Sequence, residues 1–165
     1  MIVVDTSVIS SLSKIGRLEL LKEFSEVRTT SSVVEEALDS EISSIMESLS
    51  RSLDDWLKVS TVVAINSIRK IQEDYPLLSH VDGGLIVFCR KNDGVLLTDD
   101  RRMLEVAEEE FDIETFDLCE LLLALKNEDV ISEDEIEDII EQLKKKDRYE
   151  FPEKDVKRLK GEHIE

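Results

Sequence analysis

Cysteine is scarce in this chain of 165 residues, which contains only Cys89 and Cys119. The two are far apart in the sequence, and each lies in an apolar stretch that is typical of a buried helix. The sequence therefore offers neither a disulfide framework nor the ligand pairs of a zinc knuckle. We expect two reduced thiols in the core of a cytoplasmic protein.

Long hydrophobic segments are also missing. No apolar run reaches the roughly 18 residues that a membrane-spanning helix needs. The first residues, MIVVDTS, lack the positively charged start and the long apolar core of a secretory signal. These absences predict no association with a membrane.

Positive charge is in short supply, because 21 Lys and Arg residues face 39 Asp and Glu residues, for a formal charge of −18. This balance argues against non-specific adhesion to nucleic acid or to an anionic membrane. It does not exclude an enzyme that meets a polyanion through bound cations. A chain of this length, with 41% hydrophobic residues, is long enough to bury the core of one domain.

Short apolar runs and helical periodicity alternate along most of the chain. Buried strands are predicted at 2–5 and 95–97, and weaker strands at 26–30, 56–61 and 113–116. Helices are predicted at 7–14, 17–24, 32–53, 63–75, 81–91, 101–110 and 118–125. Strands that alternate with helices predict a three-layer α/β/α sandwich around a parallel sheet.

The composition changes near residue 127, and 14 acidic and 8 basic residues follow from there to the last residue. An amphipathic helix is predicted over 132–146, with Ser132 and Glu135 as a capping box. A last short helix is predicted over 153–159. We therefore divide the chain into an α/β domain, 1–126, and an acidic helical extension, 127–165.

Carboxylates follow both of the strongest predicted strands, and others fall near the first turns of two helices. The carboxyl ends of parallel strands and the N termini of the helices that follow them share one edge of a sheet, so these acids can converge there. The candidates are Asp5, Glu36 (or Glu35), Asp82 and Asp100 (or Asp99).

Carboxylates at one place repel each other unless cations lie among them, and hard oxygen ligands favour Mg²⁺ or Mn²⁺. Such ions activate water and stabilise an in-line phosphoryl displacement, so the pattern favours phosphodiester hydrolysis. An ordinary explanation stays open, because acids are abundant here and are favoured at helix N termini. Asp5 is the hardest to explain in that way, since a carboxylate directly after a buried strand is costly without a partner.

Three segments of the chain, which cover residues 1 to about 125, resemble PIN-domain (PilT N-terminus) nucleases: VVDTSVISSLSKIGRLELL, SSVVEEAL and SHVDGGLIVFCRKNDGVLLTDDRRMLEVA. The similarity looks closest to a VapC-like prokaryotic subgroup that opens with D-T-S, carries D-D-R after the fourth strand and ends in a helical tail. The resemblance implies a PIN-like, Rossmann-like topology. It also implies a Mg²⁺- or Mn²⁺-dependent endoribonuclease that hydrolyses RNA with metal-activated water. Many relatives are toxins, so a small antitoxin partner and a homodimer or higher homo-oligomer are expected.

The resemblance also implies which residues do the chemistry. The catalytic and metal-binding acids are Asp5, Glu36, Asp82 and Asp100, with Glu35 and Asp99 as alternates because each belongs to a doublet. The supporting hydroxyls are Thr6, Ser7 and Thr98. The pair Gly83–Gly84 departs from the family's pattern, in which helix-forming residues are more common.

Two basic residues follow the last of these acids. Arg101 and Arg102 are candidates for contact with RNA phosphate. The alternative is a surface helix on which they form ion pairs with Glu105 or Glu108.

Two other classes of protein compete with the nuclease. A non-catalytic PIN-like module that binds RNA or protein is favoured by the charge of −18 without an obvious basic patch. A phosphotransfer enzyme of the haloacid-dehalogenase type needs a second Asp two residues after Asp5, where Ser7 stands. A receiver domain needs an acid pair before the first-strand Asp and a late Lys after a strand, and neither is evident.

Overall fold

The central sheet has five parallel strands in the order β3-β2-β1-β4-β5. A computed structural model describes residues 1–162, so residues 163–165 of the predicted extension lie outside the described residues. The strands are β1 (Ile2–Val4), β2 (Val27–Thr30), β3 (Leu57–Ser60), β4 (Val95–Leu97) and β5 (Thr115–Phe116). The predicted parallel sheet is confirmed.

Helices cover both faces of this sheet. The α-helices are α1 (Thr6–Lys14), α2 (Ser31–Asp39), α3 (Ser43–Leu53), α4 (Ile65–Asp74), α5 (His80–Asn92), α6 (Arg101–Phe111), α7 (Leu118–Asn127), α8 (Glu133–Lys146) and α9 (Glu153–Lys160), and a 3₁₀ helix spans Leu18–Glu23. One group of contacts joins α1, α3 and α8, and another joins α4, α5 and α6. The predicted three-layer α/β/α sandwich with C-terminal helices is therefore confirmed.

The two central strands lie in the middle of the core, because helices on both faces of a parallel sheet exclude water from it. Val4 and Leu97 are fully buried. Ile136 and Ile139 of α8 are also fully buried and belong to the same hydrophobic core. The acidic extension thus contributes to the core of the α/β domain, while the boundary at residue 127 stays a prediction.

The single helix predicted over 32–53 is wrong, because the chain forms α2 and α3 with a break between them. The Ser40 hydroxyl donates to the carbonyl of Ala37 at 2.7 Å, and Glu41 has a left-handed φ of 56°. Both helices turn apolar side chains, such as Val33 and Ile45, toward the same core. The apolar periodicity therefore continues across the break and hides it in the sequence.

Gly83 and Gly84 lie where α4 packs against α5. A Cβ atom on Gly83 would lie 3.0 Å from Cγ2 of Ile68, whereas a Cβ atom on Gly84 would meet its nearest neighbour, Cδ1 of Ile68, at 3.9 Å. Gly83 therefore allows α4 to approach α5 closely. This contact gives a physical reason for the unusual glycine pair.

The two thiols are buried and free. Burial raises the pKa of Cys89 and of Cys119 to about 12, so both remain protonated at neutral pH. Among residues 1–162, no helix combines the length and the apolar character needed to cross a membrane.

Candidate active site at the carboxyl edge of the sheet

The order of the strands reverses between β1 and β4. From β1 the chain continues outward to β2 and β3, whereas from β4 it continues to β5 on the other side. In open α/β sheets, ligands bind outside the carboxyl ends of the strands at such a switch point. Asp5 directly follows β1 and the segment Thr98–Asp100 directly follows β4, so the topology places both at this location.

Asp5 is only 4% exposed, and hydrogen bonds hold its carboxylate in one orientation. The backbone N–H of Thr6 donates to Oδ1 at 2.6 Å. The hydroxyls of Ser7 and Thr98 donate to Oδ2 at 2.8 Å and 2.7 Å. None of the ion pairs found among residues 1–162 includes Asp5, so neutral donors alone stabilise its charge.

Burial raises the pKa of Asp5, and the negative charge of Asp82 raises it further. The hydrogen bonds from Thr98, Ser7 and Thr6 lower the pKa, but burial is the largest effect. The ionised carboxylate is therefore less stable here than in water. A cation bound beside Asp5 and Asp82 would compensate for the burial of the charge and for the repulsion between the two carboxylates.

The two hydroxyls that hold Asp5 also shape the segment after β4. Ser7 Oγ accepts a hydrogen bond from the backbone N–H of Asp99 at 3.1 Å. Thr98 Oγ1 accepts one from the backbone N–H of Asp100, also at 3.1 Å. The same side chains thus fix the end of β1 relative to the end of β4.

The two members of the Asp99–Asp100 doublet have different surroundings. Asp99 accepts a hydrogen bond from the backbone N–H of Leu118 at 3.0 Å, and burial raises its pKa, while the hydroxyl of Tyr149 lowers it. Asp100 is exposed and caps α6, where its Oδ1 accepts from the backbone N–H of Arg102 at 2.9 Å. Asp99 therefore ties β4 to α7, and Asp100 lies at the solvent-facing edge.

Glu36 is joined to the end of β1 through a hydroxyl. The Thr6 hydroxyl donates to Glu36 Oε2, although Glu36 lies on the exposed surface of α2. Glu35 is exposed as well. Within this doublet, Glu36 is the member that contacts the segment after β1.

Asp82 lies in the first turn of α5 and forms a capping box with Ser79. The backbone N–H of Ser79 donates to Asp82 Oδ2 at 2.7 Å, and the backbone N–H of Asp82 donates to Ser79 Oγ at 3.1 Å. Ser79 is not among the residues predicted from the sequence, although an S-x-x-D pattern before an apolar run is a recognisable signal for such a cap.

The predicted acids thus lie along one edge without forming one compact cluster. Within residues 1–162, no three His, Cys, Asp or Glu side chains are grouped closely enough to hold a metal ion together. Mg²⁺ usually takes only one or two protein carboxylates and keeps several waters. The hard oxygen donors at this edge, with an ionisable buried Asp5 near Asp82, fit such an ion. The side chains that could hold it are Asp5, Glu36, Asp82 and Asp100.

Arg101 and Arg102 begin α6 directly after Asp100, and both are exposed. In the part of the chain that the structure describes, neither forms an ion pair within 4 Å with Glu105, Glu108 or any other acid. The predicted alternative of ion pairs along α6 is therefore not observed. Both guanidinium groups are available to an anion at the carboxyl edge.

Tyr149 is a second residue that the sequence analysis missed. It follows α8 and lies against Asp99; burial raises the pKa of the Tyr149 hydroxyl, and the charge of Asp99 raises it further. All of α6, α7 and α8 separate the two residues in the sequence, so no local pattern could have linked them.

Fold and site together define a doubly wound α/β protein with hard carboxylate donors at its switch point. The chain matches the family described as "DUF3368: PIN domain" over residues 1–160, and it belongs to that PIN-domain family. PIN domains are generally nucleases and generally use divalent metal ions. The predicted family is therefore confirmed.

One solved structure with the same fold is a PilT N-terminus domain protein from the hyperthermophilic archaeon Sulfolobus solfataricus P2. The two are 19% identical with a TM-score of 0.57, and the match covers 74% of this chain and 90% of that chain. At this level of identity, the likeness supports the fold alone. None of the curated proteins matches this chain significantly.

Proposed function

We propose that this PIN-domain protein is an endoribonuclease that hydrolyses RNA phosphodiester bonds with water and bound Mg²⁺ or Mn²⁺. One observation carries the proposal: the carboxylate of Asp5 is buried at the switch point, near Asp82, and is stabilised only by neutral donors. Membership of a family whose members are generally nucleases supports it.

In this proposal Asp5, Asp82 and Asp100 would hold the divalent cation partly through its bound waters, because no three acids within residues 1–162 are close enough to bind it together. Glu36 would be a further ligand or the acid of a second metal site. When bound, the cation activates the attacking water and stabilises the negative charge that develops on the phosphoryl group. Thr6 positions Glu36 through its hydroxyl. No side chain acts as a covalent nucleophile.

The remaining residues of the edge orient these acids and the substrate. Ser7 and Thr98 hold the Asp5 carboxylate so that Oδ1, which accepts from the Thr6 backbone, keeps lone pairs for a cation. Arg101 and Arg102 contact the phosphate groups of the RNA as it approaches.

The test is cleavage of a covalently closed single-stranded RNA, which only an endonuclease can open. The wild-type chain should cleave it with Mn²⁺ or Mg²⁺ and lose the activity in EDTA. Asp5→Asn should abolish cleavage, while Glu141→Gln, an acid on α8 far from the edge, should not change it when purified in the same way. Undiminished cleavage by Asp5→Asn would contradict the mechanism.

The D-T-S start, the D-D-R motif and the helical tail extend the proposal to a VapC-like toxin. Such a protein would be cytoplasmic, would form a homodimer or higher homo-oligomer, and would be inhibited by a small antitoxin from an adjoining reading frame. Coexpression tests the idea: the product of that frame should copurify with this chain and suppress its RNA cleavage.

A non-catalytic PIN-like module that binds RNA or protein is the second candidate. Its support is that Asp82 and Asp100 both serve as helix caps, which is a role that acids fill without any metal. Titration calorimetry separates the two candidates, since the nuclease must bind Mg²⁺ or Mn²⁺ and lose that binding in Asp5→Asn.

A further inference from the structure

A cavity of about 480 Å³ lies at the end of α5 that is opposite to Asp82. It opens between α4, α5 and the last residue of α6. The residues that matter for its chemistry are Lys70, Ile71, Val87, Arg90, Lys91 and Phe111. Its volume falls within the range of about 300–1,000 Å³ that is usual for ligand sites, and none of the proposed catalytic acids lines it.

Three cationic side chains and one carboxylate, that of Asp74, line this cavity. Lys70 pairs with Asp74 at 3.3 Å. Arg90 and Lys91 are exposed, and among residues 1–162 neither forms an ion pair within 4 Å. The lining of this cavity is therefore positive on a chain with a formal charge of −18, and it offers two cations to an anion.

An adjoining cavity of about 530 Å³ shares Arg90 and Phe111 but is lined by Asp93, Asp112 and Glu114. The anion site is therefore confined to the side of Lys70 and Lys91.

The dipole of α5 explains only part of this arrangement. Cations are favoured in the last turn of a helix, which is where Arg90 and Lys91 lie. The dipole accounts neither for Lys70, which lies on α4, nor for Phe111, which ends α6. Three separate helices therefore supply the charged and aromatic groups.

The Arg90 guanidinium covers one face of the Phe111 ring beside the cavity, so a base can stack on the guanidinium. The Arg90 guanidinium lies 5.4 Å from the centroid of the Phe111 ring. Tyr75 meets the same ring edge-on, with centroids 5.8 Å apart. Ile71 is buried and Val87 is half-buried, so they provide an apolar wall. Unstacked RNA bases stack on aromatic rings and on arginine guanidinium groups in this way.

A smaller cavity of about 190 Å³ adjoins the one of about 480 Å³ and shares Val87 and Lys91 with it. Its lining extends to Arg28 and Ser60 on the neighbouring strands. Because Lys91 lines both cavities, an extended polyanion could contact this lysine while it occupies either cavity.

We propose that the cavity of about 480 Å³ binds one nucleotide of single-stranded RNA, with its base against Arg90 and Phe111 and its phosphate beside Lys91. The identity of the ligand as RNA rests on the proposed function. The 13 residues of α5 span about 20 Å between this site and the carboxyl edge. RNA that occupies both must therefore extend well beyond the bond that is cleaved.

Binding is measured with the full chain in EDTA, so that no cleavage occurs. The probe is a fluorescein-labelled single-stranded oligouridylate of about 20 nucleotides, a length that bridges both sites. The double variant Arg90→Gln/Lys91→Gln should weaken binding by about tenfold or more. It should also reduce the slope of log affinity against log salt by about 0.7, since each phosphate contact on a single strand contributes about 0.7 and only Lys91 contacts phosphate in this proposal.

The matched control is Lys146→Gln/Lys154→Gln, which removes the same charge from exposed side chains that, like Arg90 and Lys91, form no ion pair within 4 Å among residues 1–162. Both double variants replace exposed residues, and unchanged unfolding temperatures will verify that they fold. Equal losses of affinity in the two double variants would mean that RNA binding depends only on the net charge of the chain, and would overturn the proposed nucleotide site.

An abasic strand of the same length tests the stacking surface, because it keeps the phosphates and lacks the bases. It should bind the wild-type chain at least about fivefold more weakly than the oligouridylate, and this difference should shrink in Arg90→Gln/Lys91→Gln. Equal affinity of the two strands for the wild-type chain would overturn the assignment of a nucleotide site.

A turnover assay separates this proposal from the proposed nuclease activity. If the chain cleaves RNA, Arg90→Gln/Lys91→Gln should raise KM for the long strand and leave kcat unchanged; a loss of kcat at unchanged KM would overturn the proposal. If the wild-type chain cleaves no RNA, the nuclease proposal fails, and the binding assay in EDTA still decides whether the cavity holds a nucleotide.

Discussion

Acidic residues in α8 and at the carboxyl edge of the sheet are stabilised in different ways. On α8, Glu133 pairs with Lys126 at 2.8 Å and Glu137 pairs with Lys160 at 3.2 Å. Arg17 lies within 4 Å of two more acids of the same helix. The chain therefore supplies its own cations to the acidic extension.

At the carboxyl edge, hydroxyls and backbone N–H groups take the place of cations. Asp5 accepts from Ser7 and Thr98, while Asp82 and Asp100 accept from the backbone at the starts of α5 and α6. A high local density of acidic residues therefore does not identify a metal site in so acidic a chain. Carboxylates that the chain itself leaves without a cation are the better indicator of a site for an external one.

Asp5→Asn should have the largest effect, because it removes the charge of the carboxylate that lies deepest in the edge. We expect RNA cleavage to fall about 1,000-fold, since a divalent cation contributes several kcal/mol to catalysis and each 1.36 kcal/mol is about tenfold in rate. The measurement is single-turnover cleavage in Mn²⁺. A loss of less than tenfold would show that this edge is no more functional than α8.

Asp100→Asn and Asp99→Asn should separate the two members of the doublet. Asn is as good an N-cap as Asp, so Asp100→Asn should keep α6 and still lower cleavage by about 100-fold. Asp99→Asn keeps an acceptor for the Leu118 backbone and should change kcat much less. Paired kcat and unfolding measurements check this, and the opposite ranking would make Asp99 the functional acid.

The stability of Asp5→Asn should depend on pH in a defined direction. Burial raises the pKa of Asp5 above 3.8 in the folded chain. At a pH above this raised pKa, Asp5 is ionised and its burial lowers the free energy of unfolding. The wild-type chain regains this stability as the pH falls through the raised pKa toward 3.8. Asn cannot accept every hydrogen bond that the two Asp5 oxygens accept, and this loss does not depend on pH. The unfolding temperature of Asp5→Asn relative to wild type should therefore be higher at pH 7 than near pH 4. Thermal unfolding at both pH values is the measurement.

Added Mg²⁺ is the control for that result. It should raise the unfolding temperature of the wild-type chain at pH 7 and raise that of Asp5→Asn much less, since the variant lacks the buried carboxylate that binds the cation. An unfolding-temperature difference between Asp5→Asn and wild type that is the same at pH 7 and pH 4 would contradict the electrostatic account of this edge.

Tyr149→Phe should weaken the connection between the extension and the carboxyl edge. The substitution keeps the ring that packs against Phe151 at 4.8 Å and removes the hydroxyl that lies against Asp99. Among residues 1–162, Asp99 Oδ2 is buried without a hydrogen-bond partner, so this hydroxyl stabilises Asp99 by less than a full hydrogen bond. We expect a loss below about 1 kcal/mol in the free energy of unfolding, with a smaller change in cleavage. Urea denaturation provides the value, and an unchanged midpoint would mean that this hydroxyl contributes nothing.

Glu141→Gln should have the smallest effect. Its partner, Lys145, lies one turn away at 2.5 Å, and both side chains are more than half exposed. Exposed pairs of this kind contribute about 0.3–0.5 kcal/mol, so unfolding and cleavage should both remain close to wild type. A large loss of cleavage in this variant would mean that α8 takes part in the function.

The end positions of the two central strands could be predicted because their signals are local. The apolar runs that precede Asp5 and Asp99 identify strands, and strand alternation with helices places their ends at one edge. The hydrogen bonds of these acids could not be predicted from the sequence, because they depend on which rotamers the packing allows. Ser7 and Thr98 were expected as supporting hydroxyls, but their shared acceptor, Asp5 Oδ2, is visible only in three dimensions.

Features that depend on distant partners were not predictable. The break after α2 has neither Gly nor Pro, and the left-handed conformation of Glu41 is imposed by the packing of α2 and α3 on one core. The glycine at position 83 is explained only by the structure, in which a Cβ atom there would lie 3.0 Å from Cγ2 of Ile68. The cavity beside Arg90 needs three helices, and its basic residues looked scattered along the sequence.

The pairing of β1 with β4 also has a kinetic consequence. The Thr98 hydroxyl reaches Asp5 across 93 residues of sequence, so the chain must close a long loop before this hydrogen bond forms. Non-local parallel pairing forms slowly compared with local helices. A refolding chain will therefore acquire most of its helical content before Thr98 meets Asp5, and an incompletely folded chain has no assembled carboxyl edge.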